Sequence, residues 1–210
     1  MDTRNRKVTE PTVLELLHDI RSRLEKIETD NEKFLNSVLN TNKRVDKIES
    51  SVNQLEQHSR NCSIRLFNLT LSNEDAKSAL KTSKAVYKVL SPILQCAVED
   101  GELDEVPSIF RLIEYAHTLP TKGDGPCPII VRFQSRIYRS LIFSFKKDYF
   151  KRNPSCKVSI FEDLTTSNFK LLKSLQQDDR VLAAWTAGGR CKYRLKSAPD
   201  SVKSADSPLV

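Results

Sequence analysis

From Val13 to Leu55, apolar residues return at alternating steps of four and three without a break, and no other feature constrains this chain as strongly. The positions are Val13, Leu17, Ile20, Leu24, Ile27, Asn31, Phe34, Val38, Thr41, Val45, Ile48, Val52 and Leu55. All but Asn31 and Thr41 are apolar, which gives a seam of about six heptads, the spacing that winds helices into a left-handed coiled coil. A lone helix of this kind cannot bury its stripe, because Lys, Glu, Asp, Asn and Gln fill the rest of its surface. The sequence predicts an oligomer.

Steps of three run from a to d, so Leu17, Leu24, Asn31, Val38, Val45 and Val52 take a positions, and Ile20, Ile27, Phe34 and Ile48 are among those at d. Leu at a followed by Ile at d, as in Leu17–Ile20 and Leu24–Ile27, favours trimers or tetramers over dimers. Asn31 at an a position fixes a parallel, in-register alignment, unless it is merely a polar interruption near a helix boundary. Arg23-Leu24-Glu25-Lys26-Ile27-Glu28 returns three heptads later as Arg44-Val45-Asp46-Lys47-Ile48-Glu49. Arg23 and Arg44 fall at g and Glu28 and Glu49 at e, so each Arg can reach a Glu on a neighbouring helix. This spacing resembles the trimer-specifying motif of short parallel coiled coils. The expectation is a homotrimer over residues 13–58, with a dimer as the alternative and residues 1–12 without regular structure.

Charge is unevenly distributed. Residues 111–196 carry 17 Lys/Arg against 7 Asp/Glu, whereas residues 1–60 balance at 11 each, so the overall +7 is concentrated in one basic segment. That asymmetry is the footprint of a polyanion binder, although solvated lysine-rich surfaces produce it too. No run of eighteen apolar residues and no apolar signal core is present, which predicts a soluble, non-secreted chain without a membrane partner. Cys62, Cys96, Cys127, Cys156 and Cys191 form no C-x-x-C pair, which argues against a disulfide scaffold or a zinc site and suits a reducing compartment. No Ser or Cys is patterned with His18, His58 or His117 and an acid, and no glycine-rich phosphate loop exists. Enzymatic activity, a cofactor, a metal and a small-molecule substrate are therefore not expected.

Beyond the coil, Cys62 to Leu69 alternates as a strand. Ser72 to Val98 has helical periodicity, with a break expected at Pro92. A short apolar segment around Ile109-Phe110-Arg111-Leu112 is assigned as the second strand, and Leu119 to Pro126 as a loop. Pro128 to Phe133 is the clearest strand, Ser135 to Phe150 a helix, and Lys157 to Phe161 a fourth strand. The order is βαββαβ, the split ferredoxin-like layout, over residues 62–161. In residues 162–196, Thr165 or Thr166 caps a helix through Phe169, Leu172 and Leu175. Val181 to Trp185 and Arg190 to Leu195 then form a hairpin about Ala187-Gly188-Gly189. Its second strand places Cys191, Tyr193 and Leu195 on one face and Arg190, Lys192, Arg194 and Lys196 on the other. Residues 197–210 lack periodicity and are expected to be disordered.

Ile64-Arg65-Leu66-Phe67-Asn68-Leu69 resembles the opening strand of RNA-recognition-motif folds, with Arg65 where the base-stacking aromatic stands. Together with the coiled coil, the strand Pro128-Ile129-Ile130-Val131-Arg132-Phe133, Glu162-Asp163-Leu164-Thr165 and the small α-plus-hairpin segment, it makes residues 13–196 resemble the first-open-reading-frame protein of LINE retrotransposons. The resemblance implies an α+β protein: a long N-terminal parallel coiled-coil helix, then a ferredoxin-like domain of the RNA-recognition-motif type, then a small C-terminal helix-plus-hairpin domain. It implies a trimer that coats element RNA as a nucleic-acid chaperone in a cytoplasmic or nuclear ribonucleoprotein. It also implies that Arg132 contacts nucleic acid, and Arg111 resembles a family arginine. Ile113 and Glu114 depart from the Gly and basic residue that often follow that arginine, and the closing helix of some family members has no counterpart.

The positions that usually stack on bases look like Arg65, Pro128 and Ile130, so sequence-tolerant phosphate contacts to single-stranded RNA or DNA are expected to dominate. Arg65 and Arg132 are placed on the open sheet face. Arg136, Arg139, Lys146, Lys147, Lys151 and Arg152 extend the basic surface, joined by Arg190, Lys192 and Arg194 of the hairpin. The competing reading is a coiled-coil adaptor whose aromatic-poor domain binds protein.

Overall fold

The computed structural model describes residues 12–121 and 125–207; the expected N-terminal segment before Thr12, part of the 119–126 loop and the last three residues lie outside them. The chain divides into two compact units, one ending at Val52 and the other beginning at Asn53. Segments 62–161 and 162–196, expected as separate domains, fall within one unit together with the last turns of the first helix.

That helix, α1 (Val13–Arg60), is unbroken, as its freedom from Gly and Pro allows. Every apolar seam residue from Val13 to Leu55 is exposed. Arg23 lies 3.8 Å from Asp19 of its own helix.

The second unit is built on two antiparallel sheets. The larger takes the order β2-β3-β1-β4 from β1 (Ser63–Phe67), β2 (Ile113–Thr118), β3 (Ile129–Phe133) and β4 (Ser159–Glu162). Alternation decides which side chains enter the core. Ile64 and Leu66 of β1, Ile129, Val131 and Phe133 of β3, and Ile160 of β4 point to one face. There they meet Val86, Leu90, Ile93 and Leu94 of α3 (Ala79–Glu99) and Ile142 of α5 (Arg136–Arg152). Asn68 ends β1 at φ 63°, a left-handed turn that Asn tolerates well, and this gives the Asn of the Ile-Arg-Leu-Phe-Asn-Leu segment a backbone role.

Serine and threonine caps set the helix starts. Ser72 accepts from the Asp75 N–H to open α2 (Asn73–Ala76), Ser78 accepts from Lys81 N–H to open α3, and Ser135 accepts from Ile137 N–H to open α5. The interruption expected at Pro92 instead falls at Lys77–Ser78, and α3 runs through Pro92. An interior proline costs about 3 kcal/mol. Leu90, Ile93 and Leu94 around it are wholly buried, and each contributes about 1.5–3 kcal/mol that a broken helix would forfeit.

A second correction concerns Ile109 to Leu112, which form one helical turn, α4, with the second strand beginning at Ile113. Four residues of mixed polarity fit a helical turn and a strand equally well, so pattern alone could not decide. A third concerns the tail. Ala198–Ala205 form β7, paired along β6 (Arg190–Leu195), which in turn pairs with β5 (Val181–Ala187) in a three-stranded sheet. The edge position accommodates Pro199, which lacks an N–H, and only Ala205 of the strand is buried, so its sequence shows no alternation. Leu171 and Leu175 of α6 (Thr166–Gln177) cover Val181, Cys191, Tyr193 and Ala205 on one face of this sheet.

Candidate nucleic-acid interface

Four of the arginines expected to meet nucleic acid, Arg65, Arg132, Arg136 and Arg139, hold partners elsewhere in the fold. Arg139 is 8% exposed; its Nη2 donates to the Glu162 carboxylate at 2.6 Å and its Nε to the Ser63 carbonyl at 3.4 Å. Glu162, also 8% exposed, accepts from Gly188 N–H at 2.8 Å and Gly189 N–H at 3.0 Å, so one carboxylate ties α5 to the hairpin turn. Lys146 donates to the Ile160 carbonyl at 2.8 Å and sits 4.1 Å from the Phe143 ring centroid. Burial pulls its ammonium below the ordinary lysine value, and nearby Arg139 adds to that while Glu162 opposes it. Arg139 and Lys146 are therefore structural residues. Cations two turns apart on a helix read the same on a wet face as on a face that meets a buried acid.

Arg132 and Arg136 close the end of α1. Arg132 Nη1 donates to the Ser59 carbonyl at 3.0 Å and Nε to Glu114 at 2.8 Å. Glu114 also accounts for the raised Arg132 pKa, its hydrogen bond being the largest cause. Arg136 Nη2 lies 2.9 Å from His58 Nε2 and 3.5 Å from the His58 carbonyl. Cations at a helix C-terminus satisfy its last carbonyls and oppose its dipole. Arg65 Nε donates to Asp163 at 2.7 Å, and Asp163, only 2% exposed, also accepts from Arg60 Nη1 at 3.2 Å. Arg65 and Arg132 nonetheless keep about a third of their side-chain surface in water, on the sheet face away from the helices.

Strand register shows what else stands on that face. His117, Ile130, Arg65 and Phe161 form one row across β2, β3, β1 and β4, with Tyr115 beside Arg132 in the next. Phe67 meets Phe161 edge to face at 5.6 Å, and Tyr115 stacks on His117 at 5.6 Å. The face thus carries aromatics that the sequence reading missed. Counting alternate residues outward from buried Ile64, Leu66 and Ile160 finds Phe67 and Phe161, which lie away from the central positions that usually stack on bases.

The second surface is the outer face of the small sheet. Arg190, Lys192 and Arg194 alternate along β6 with buried Cys191 and Tyr193. Trp185 lies opposite Lys192, and the Arg194 guanidinium is 5.6 Å from its ring centroid. The turn that positions this hairpin, Gly188–Gly189, has φ 62° and 79°, the two-residue geometry that glycine supplies. At Gly189 a Cβ would stand 2.6 Å from Gln57 Nε2. Gln57 donates to the Asp163 carbonyl and accepts from Thr165 N–H and Asn168 Nδ2, while Thr165 Oγ1 donates to Asn53 Oδ1. Arg111 and Lys147 are exposed.

Among the described residues no cluster of acids, His and Cys could hold a metal ion, and no helix is long and apolar enough to cross a membrane. Compared with protein-family models and with curated proteins, the chain matches none.

Proposed function

We propose that the protein binds single-stranded RNA or DNA as a parallel coiled-coil homotrimer, through phosphate contacts that tolerate sequence, and acts as a nucleic-acid chaperone of the LINE first-open-reading-frame type. The observation that carries this reading is the outer face of the small sheet, where Lys192 and Arg194 flank the chain's single tryptophan and Arg190 continues the same cationic row. Cations on alternate residues of one strand lie about 7 Å apart, close to the step between phosphates of an extended strand. An aromatic among them offers a base a stacking partner of any sequence. The order β2-β3-β1-β4 with α3 and α5 on one face supports a ferredoxin-like head of the RNA-recognition type. The exposed seam of α1 supports self-association, because eleven apolar side chains have no cover within one chain. Three linked heads raise the apparent affinity for one long strand by about 10²–10⁴.

A coiled-coil protein adaptor is the second reading. What favours it is the engagement of Arg65, Arg132 and Arg136 by Asp163, Glu114 and the end of α1. Filter binding to single-stranded RNA at two salt concentrations separates the two. The nucleic-acid reading expects binding at low salt, with a salt slope that flattens by about 1.4 in Lys192→Ala/Arg194→Ala, since each lost phosphate contact is worth about 0.7. No binding at low salt favours the adaptor.

A further inference from the structure

Beside Arg65, where the β1–β4 edge of the large sheet approaches α6, the fold leaves a cavity of about 420 Å³. That volume lies in the range of small-ligand sites. Phe67 and Phe161 line it from the sheet and Phe169 from α6. Phe161 is 56% exposed and Phe169 52%, so two phenyl rings stand half in water at the mouth of one cavity. Apolar surface of this kind, rimmed by polar groups, marks a place where something docks.

The rim decides what that is. Arg60, Arg65 and Lys173 line the cavity, the last with its ammonium 5.8 Å from the Phe169 ring centroid. Buried Asp163 holds Arg60 through Nη1 and Arg65 through Nε, which fixes both guanidinium groups beside the aromatic wall. Glu162 is the one carboxylate among the described lining residues, and Arg139 with two glycine N–H groups already satisfies it. Asp163 and Glu56 offset the charge of Arg60 and Arg65, which leaves Lys173 as the lining cation with no carboxylate bound to it among the described residues. Aromatic faces beside that ammonium and two partly exposed guanidinium groups suit a planar ring joined to an anion. A purely apolar peptide would leave the Lys173 ammonium without an anion.

We propose that this cavity is a base-insertion subsite: one unstacked base of a bound strand packs against Phe161 and Phe169, with its flanking phosphate at Arg60, Arg65 or Lys173. The inference rests on the nucleic-acid reading and deepens it, adding a stacking contact to phosphate contacts made elsewhere.

The test uses the full chain and a single-stranded RNA carrying one 2-aminopurine. Binding quenches the fluorophore in the wild type. Phe161→Ala and Phe169→Ala, both at exposed positions and checked for folding by circular dichroism, each weaken binding by about tenfold, within a range of roughly 5- to 150-fold. They also lose the quenching, but keep the wild-type salt slope because no phosphate contact is removed. Phe161→Trp restores both signals, and Phe161→Leu restores neither. Alanine variants that fold, bind and quench like the wild type overturn the subsite while leaving the RNA reading intact. A wild type that binds no RNA at low salt overturns both. If it instead takes up an acidic, aromatic peptide, and loses it in Phe161→Ala, the cavity is a protein-docking groove.

Discussion

Replacing Glu162 by Gln tests the buried polar centre of the head while changing almost nothing in shape. The Arg139–Glu162 pair measures 2.6 Å, with side chains 10% and 5% exposed, so neither group has water to fall back on. Breaking one partner of such a pair costs about 3–5 kcal/mol, because the remaining charge is left buried and uncompensated. The amide makes matters worse. Both Glu162 oxygens accept backbone N–H groups, from Gly188 and Gly189, and an amide nitrogen must face one of them as a second donor. For a unit of this size, about 2–4 °C of melting temperature is lost per kcal/mol, which predicts a drop of about 6–20 °C. Urea unfolding followed by fluorescence of the single tryptophan, Trp185, reports the change directly. Arg139→Met combined with Glu162→Gln removes the orphaned charge and recovers at least half of the loss. Arg139→Met should leave the salt slope of RNA binding unchanged. A Glu162→Gln protein within about 1 kcal/mol of wild type would refute the account of this pair.

Two further predictions concern the same centre. Gly189→Ala should destabilise the head by about 2–4 kcal/mol, from the left-handed backbone and the displacement of Gln57, whereas Gly101→Ala, at the same φ of 79° with open space around it, should lose only about 1–2; equal losses in urea titrations would contradict the contact with Gln57. Cys191, buried with its thiol pushed up to about 11 chiefly by desolvation, should resist iodoacetamide at pH 8 in the folded protein and react in urea, as peptide mass mapping would show; labelling of the native protein would contradict its place under α6.

Elements with a strong local code were legible in the sequence. The unbroken 3-4 spacing matches a helix from Val13 to Arg60, and the alternation in β3, the Thr165 cap and the glycine turn of the hairpin each match the structure within a few residues. Elements whose structure depends on distant partners were not. β7 is an edge strand held by β6, with one buried residue, so nothing local announces it. Pro92 signals a break that burial of its neighbours overrides.

The candidate site divides the same way. The cationic face of β6 follows from alternation and needs no knowledge of the fold. The fates of Arg65, Arg132, Arg136 and Arg139 depend on Asp163, Glu114, the α1 terminus and Glu162, which lie 18 to 98 residues away along the chain. A guanidinium's charge is visible in sequence; its counter-ion across the fold is not. In sequence Phe169 is only a periodic position of a helix and Lys173 carries no signal of its own; both become site candidates because α6 borders the cavity.

Native mass spectrometry of the full chain with one long single-stranded RNA tests the central claim most directly. Three chains of 24.0 kDa on one RNA, persisting at micromolar protein and dissociating as salt rises, is the predicted result. Single chains with no RNA bound at low salt would contradict it.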